Sequence, residues 1–446
     1  MPFSRRTFLK LATAAAAAPA VLTRAALAPS GDEEFLDELQ LSAFRYFAEQ
    51  TDPKTGLIAE AARVDGGIIS RAIRPNASNA VTGFGLAVLC AGAERGWMPR
   101  PECSRRIVRA LRTLADRSES VRGWNYHWLN LQTGLRNGAA GPGGISEIST
   151  VDHAFLLAGA LTARECFPRD GEIVDLVDRL YRRTDFPWLQ EPSSLQMGHG
   201  WTPEHGFIAS RWDEYSEAGV LYLLGLGAPT LALKPESWAA WRRDPNTYKS
   251  YHYIGNQPLF TNQYSHAFVD FRGRPEDGAS KIDWFMNSRV ATQAHRQFCI
   301  DLAPEFPGYT PNLWGITSSE SRHGYKAWGG PPRTLGLDGS IVPAAAGGSI
   351  MFEPELCLAA LRAIMDGFGE RVYCRYGFVD AFHPLNGWVS PYVKGLDAGI
   401  TFLAAENLRT GLIWKWFTGA KEIQRALSLA KLTLQPSLSR KAMSDK

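Results

Sequence analysis

Three acids of this chain stand where an apolar helical run begins, and their type and setting could do chemistry. In Arg211-Trp212-Asp213-Glu214-Tyr215-Ser216-Glu217-Ala218, Glu217 directly precedes the apolar run Val220-Leu221-Tyr222-Leu223-Leu224 and is expected in the first turns of a helix, beside Tyr215. A carboxyl held there against a lined cavity is partly desolvated and stays protonated near neutral pH, as a general acid must. The competing reading is that Asp213, Glu214 and Glu217 merely favour the positive end of that helix. Asp397, in Gly395-Leu396-Asp397-Ala398-Gly399, opens a second run after a loop carrying Trp388, and N-capping would explain it equally well. Asp152, in Ser149-Thr150-Val151-Asp152-His153, enters a third run as a cap or as a sugar ligand.

Acids at helix mouths converge if the helices form a ring with those ends on one side. Paired carboxyls flanking an acetal are the usual machinery of glycoside hydrolysis, one protonating the leaving oxygen while the other activates water. The aromatic content supports the same chemistry, because sugar rings present apolar C–H faces that stack on indole and phenol. The chain has 14 Trp, 14 Tyr and 22 Phe. Trp124, Tyr126, Trp128, Trp201, Trp212, Trp314, Tyr325, Trp328, Trp388 and Tyr392 fall in or beside the long connections. No Walker loop, HExxH, GxSxG or Rossmann fingerprint occurs in a suitable context, and Gly225-Leu226-Gly227 ends a helix rather than opening one. The nine histidines are scattered without metal-ligand spacing, so no metal site is expected.

The elements that must position these residues are helical. Phe35-Leu36-Leu39-Leu41-Phe44-Phe47 has the spacing of an amphipathic helix behind the acids Asp32, Glu33 and Glu34. Further helical runs occupy roughly 78 to 95, 101 to 117, 149 to 167, 171 to 183, 214 to 226, 281 to 302, 353 to 368, 397 to 410 and 418 to 431. Long Gly-, Pro- and Trp-rich connections cover 184 to 212, 241 to 280 and 303 to 345. With no sustained two-residue alternation and no βαβ rhythm, the fold class is all-α, with helices paired in two concentric rings and the long loops over one end. The 446 residues are then one helical unit over 32 to 432, followed by a polar tail from 433 to 446.

Net charge is +3, but Arg5, Arg6, Lys10 and Arg24 all lie in the first 28 residues, which contain no acid. The remaining body is nearly neutral and lacks the basic face that nucleic acid requires. Ser4-Arg5-Arg6-Thr7-Phe8-Leu9-Lys10, an apolar run to Leu22 and the small residues around Ala26-Leu27-Ala28 make residues 1 to 28 a twin-arginine-type export signal. An N-terminal anchor is the alternative, since Pro29 suits a cleavage junction poorly. The mature protein is expected in the periplasm or secreted, as a monomer without a stable membrane anchor. Six dispersed cysteines exclude a zinc framework, and Cys357 with Cys374 is the first disulfide pair to test.

Six ordered blocks then resemble a known family. They are Trp212–Gly227, Pro258–Gly273, Trp314–Pro332, Asp338–Ala345, Tyr376–Phe382 and Tyr392–Trp414, within a similarity running from about residue 35 to 432. They look like the glycoamylase-like domain, which includes the endo-β-1,2-glucanases of glycoside hydrolase family 144. That resemblance implies an (α/α)6 toroid and anomer-inverting hydrolysis of β-1,2-glucan or its oligosaccharides, without a cofactor. Glu217 then maps to the general acid, Asp397 to the base or an essential partner of the acid, and Asp152 to another acidic position in the pocket. The expected sugar contacts are Asp152, Trp212, Tyr215, Gln263, His266, Arg272, Trp314, Tyr325, Trp388 and Tyr392, with Gln263 and His266 readable also as satisfied structural groups. Ser319-Glu320-Ser321 departs from the Asp-Gly pair common in the family, which leaves chain length and linkage open. A glycosidase of another glucan linkage and a non-catalytic periplasmic glucan-binding protein are the remaining alternatives.

Overall fold

The computed structural model describes residues 31–66, 76–138, 141–277 and 281–435. The export segment, and all but the start of the expected tail, lie outside them.

Two kinds of helix build the protein. Outer helices carry an apolar stripe: in α5 (Gly171–Arg183) the buried residues are Ile173, Leu176, Val177, Leu180 and Tyr181, the spacing of one helical face. Asp170 caps that helix by accepting the backbone N–H groups of Glu172 and Ile173. α1 (Asp32–Glu49) and α3 (Arg100–Arg112) are built alike, and α3 continues as a π-helical turn, Thr113–Arg117. Inner helices are apolar all round. Every residue of α2 (Asn79–Glu94) up to Ala93 is buried, as is nearly all of α4 (Thr150–Cys166) and α6 (Gly219–Gly227).

Beyond them come α7 (Tyr264–Phe268), α8 (Trp284–Asp301), α9 (Pro343–Gly347), α10 (Pro354–Phe368), α11 (Gly395–Arg409), α12 (Leu412–Gly419) and α13 (Lys421–Leu429). α2 packs on α4 and α11, α4 on α6, α9 on α11, and α1 closes against α11 and α2. The α2–α4 crossing is so close that a Cβ on Gly83 would collide with the Phe155 carbonyl, and one on Gly159 with that of Gly83. Only glycine fits at those two positions.

The predicted helices are present, with three differences. The run expected from 214 begins only at Gly219, so Glu217 sits in the turn ahead of α6 rather than inside it. The run expected over 418 to 431 begins only at Lys421, as α13, and α12 ahead of it, Leu412–Gly419, lies almost wholly outside the expected runs. The five-residue helices α7 and α9 fall within or beside expected loops, because one turn and a half carries no periodicity. The protein is mostly helical, and the strands present are two to four residues long. One of these pairs matters for the site: Ala61–Arg63 runs antiparallel to Tyr392–Lys394, with Ala61 opposite Lys394. All six cysteines are free thiols, so Cys357 and Cys374 are not bridged.

Candidate active site

Asp152 and Asp397 lie in the first turns of α4 and α11, and Glu217 in the turn before α6. Ser149, not Asp152, caps α4: its hydroxyl accepts the Asp152 N–H and donates to the Asp152 carboxylate. The cap reading of Asp152 is thereby removed. Lys394 precedes α11 without a side-chain cap, so Asp397 is free of that duty too.

Two further acids share the site. The strand pairing brings Glu60, one residue before Ala61, beside the start of α11, where its carbonyl accepts the Gly395 N–H at 2.8 Å. Asp380 is 1% exposed; its N–H donates to the Tyr392 carbonyl at 3.0 Å and its Oδ2 accepts the Glu320 N–H at 2.8 Å. Lys394 Nζ reaches Glu320 Oε1 at 3.2 Å. On the other side, His127 Nδ1 donates to Glu147 Oε1 at 2.6 Å while Nε2 lies 3.4 Å from Asp152 Oδ1.

So many carboxyls around two cations cannot all ionise out of water. Burial raises Glu217 to about 7, with the Asp152 charge adding to it. Burial also raises Glu60 to about 7, against the pull of Lys394 and His127. Asp397 is held well above the ordinary range by burial and by the neighbouring charge of Asp380. Burial pulls His127 down, but Asp152 and Glu147 more than offset this and hold it up at about 9, a cation at neutral pH. One oxygen of each of three acids, Glu60 Oε2, Glu217 Oε2 and Asp397 Oδ2, is buried with no hydrogen-bond partner. Buried polar atoms are normally paired, so three orphaned carboxyl oxygens mark places a ligand would satisfy.

Aromatic groups border these acids. Trp212 donates its indole N–H to Thr150 Oγ1 at 2.9 Å, two residues from Asp152, and stacks on His199 at 3.9 Å. Trp128 stacks on His127 at 4.1 Å. Tyr325 is 61% exposed, yet its hydroxyl lies near enough to Lys394, Asp380 and Asp397 to feel their charge. Tyr392 and Trp388 are half-buried, the first in the strand beside Lys394.

Five of the expected sugar contacts are elsewhere or already occupied. His266 is fully buried, bonded through Nε2 to Tyr215 and Ser288 at 3.2 and 3.0 Å, and burial pushes it down to about 3, a neutral core histidine. Tyr215 belongs to the same core, stacked on Trp284 at 4.6 Å. Gln263 spends its amide on the Ala345 carbonyl and Ser349 Oγ. Trp314 is 0% exposed. Arg272 is paired with Asp270 and lies 4.1 Å over Trp414, past the C-terminal end of α11, about 20 Å along that helix from Asp397. Trp124 and Trp328 are core residues as well.

Glu60, His127, Asp380 and Lys394 carry no signal of their own in the sequence. Asp380 sits inside Tyr376–Phe382 and Lys394 inside Tyr392–Trp414, so the blocks carrying the resemblance already held them. Glu60 had no pattern to betray it, since its place is set by a strand partner far along the chain. A separate open groove of about 690 Å³ lies on the outer face of α3, among Lys54, Arg105, Arg109 and Asp116, and contains none of these acids. Among the described residues no His, Cys, Asp and Glu group has the arrangement to hold a metal ion.

This helical scaffold with acids gathered at helix mouths is similar to known proteins. Residues 209–421 match the Glycoamylase family, described as "Putative glucoamylase", and residues 2–21 match the twin-arginine translocation signal. The first of these matches covers a little under half of the chain, and the second lies ahead of it at the N-terminus. It is 26% identical over 436 residues to the exo β-1,2-glucooligosaccharide sophorohydrolase (non-reducing end) of Parabacteroides distasonis, covering 90% of this chain and 58% of that protein. This chain thus spans less than two thirds of that curated relative. The endo-β-1,2-glucanase of Chitinophaga pinensis, solved with sophorotriose and glucose, superposes with a TM-score of 0.82 at 25% identity, covering 92% of this chain and all of the other. A crystal structure of a "putative glucoamylase" from Bacteroides uniformis gives 0.83 at 28% identity, again over 92% of this chain and all of the other.

Proposed function

We propose that this chain is an exported glycoside hydrolase that cleaves β-1,2-glucan, or oligosaccharides derived from it, with inversion at the anomeric carbon. The observation that carries this reading is the pair Glu217 and Asp397, each offering one buried, unpartnered carboxyl oxygen at a helix mouth. The sophorohydrolase and the endo-β-1,2-glucanase named above act on β-1,2-linked glucose. The inner helices α2, α4, α6, α7, α9 and α11 form the inside of an (α/α)6 toroid over residues 32 to 432, with the acids at one end. The mature protein works in the periplasm or outside the cell, as a monomer.

Glu217, raised to about 7, keeps its proton over much of the neutral range and gives it to the glycosidic oxygen as the C1–O bond breaks. Asp397, directly or through a sugar hydroxyl, takes a proton from the water whose oxygen bonds C1 from the opposite face. One carboxyl loses a proton and the other gains one, and exchange with solvent restores both. Asp152, Trp212, Tyr325, Trp388 and Tyr392 hold the sugars.

The test is incubation with linear β-1,2-glucan, with product anomers followed by NMR. Sophorose-series products appearing first as α-anomers support the reading. Initial β-anomers overturn inversion, cleavage of another glucan instead overturns the linkage, and binding without cleavage makes the protein a glucan-binding protein.

A further inference from the structure

Glu217 stands just outside the backbone ladder of α6. The first bond of that ladder runs from the Tyr222 N–H to the carbonyl of Ala218, the residue after Glu217, at 3.1 Å. α6 also has no side-chain cap of its own. One hydroxyl from another helix meets both deficits. Ser265 Oγ, on α7, donates to the Glu217 carbonyl at 2.7 Å and accepts the Val220 N–H at 3.0 Å. Ser265 is 2% exposed, so water does not compete for either bond. Gly219, between the two tethered groups, keeps the approach open, since a Cβ there would stand 3.1 Å from the hydroxyl oxygen.

α7 is only five residues long, yet it is fixed on several sides. The Trp414 indole N–H donates to the His266 carbonyl at 2.6 Å, Asn407 Nδ2 to the Ala267 carbonyl at 2.8 Å, and the Gln263 amide to the Ala345 carbonyl at 2.9 Å. Asn407 lies on α11, so Ser265 is anchored to the helix that carries Asp397.

We propose that Ser265 is a positioning residue for Glu217: by tying the Glu217 peptide to α7, it sets where that acid stands relative to α11 and Asp397. A turn outside the helical ladder has no other means of holding its register so closely, and a displacement of about 1 Å in a reacting group costs up to about a hundredfold in rate. The kinetic consequence rests on the hydrolase reading above; the tether itself does not.

Ser265→Ala removes both bonds without adding bulk. On β-1,2-glucan its kcat should fall about ten- to a hundredfold with KM within about twofold of the wild type, because the loss falls on proton transfer and not on sugar binding. Ser265→Thr, which restores a hydroxyl, should bring kcat back to within about threefold of the wild type. A kcat for Ser265→Ala within about twofold of the wild type overturns the proposal, as does a KM that rises in step with the loss. If the alanine variant does not fold, Ser265→Cys, close in size and a weak hydrogen-bonding group, takes its place with the same expectations. A second readout needs no turnover. Burial holds Glu217 at about 7, and Asp152 on α4 and the Tyr264 hydroxyl on α7 are the titratable groups that share its surroundings. Once untethered, the carboxyl reaches water more easily, so its titration by carboxyl-carbon NMR, assigned by its loss in Glu217→Gln, should fall by about one pH unit in Ser265→Ala. An unmoved titration overturns the proposal. Absence of glucan cleavage by the wild type counts against the hydrolase reading and leaves the titration to decide this one.

Discussion

His127 Nε2 points at Asp152 Oδ1 across 3.4 Å, and the imidazole stays charged because Asp152 and Glu147 flank it. Asp152 in turn adds to the effect of burial in raising Glu217. The folded value of His127, about 9, lies above the ordinary 6.5. The stability this supplies is fully present below pH 6.5 and is lost as pH rises through 9, a swing of about 3 kcal/mol. Urea unfolding of wild type and His127→Gln at pH 6 and pH 9.5 should show that difference in pH dependence. Parallel pH curves would refute the charged state.

Glu217→Gln should remove activity and raise stability together. A carboxyl raised from 4.5 to about 7 stabilises the fold fully below pH 4.5 and loses that contribution as pH rises through 7. The amide has no such loss, so by pH 8 the variant should gain about 3 kcal/mol on the wild type relative to pH 4.5. Turnover should fall by roughly 10²–10⁴-fold, the usual worth of a general acid. Thermal melts at both pH values, beside glucan turnover, test the pairing; an active variant removes Glu217 from the mechanism.

His266→Ala should behave in the opposite manner. It breaks the buried bonds to Tyr215 and Ser288 and costs about 2–4 kcal/mol. At temperatures where the variant is folded, its pH–rate profile should match the wild type. A shifted profile would return His266 to the site.

Tyr325→Ala probes the sugar contact with little structural penalty, because the residue is largely exposed. Denaturation midpoints should imply a change within about 0.5 kcal/mol. KM for glucan should rise several-fold. Unchanged KM and kcat would show that the ring serves no sugar.

The helices are legible because burial writes a period into the sequence. Ile173, Leu176, Val177, Leu180 and Tyr181 spell out one face of α5 by their spacing alone. The three helix-mouth acids are legible for the same reason, each standing next to an apolar run. Pockets are not periodic, so only residue type and the family resemblance put His266, Gln263 and Arg272 among the sugar contacts. The fold gives them to the core and to the far end of α11. Glu60 and Asp380 escape notice because their role comes from partners such as Gly395 and Glu320, remote in sequence and joined only by the fold.

The pairing of Ala61 with Lys394 also bears on when this protein becomes competent during its synthesis. Contacts so distant along the chain carry a large loop-closure entropy and form late. Gln40 of α1 and Glu406 of α11, bonded at 2.8 Å across 366 residues, repeat the pattern. A ribosome must extend the chain past Asp397 before Glu60 can meet it. A chain threaded through a membrane while still being made would enter the next compartment with its active site unassembled. Export by the twin-arginine route, which carries folded cargo, lets that last closure take place in the cytoplasm.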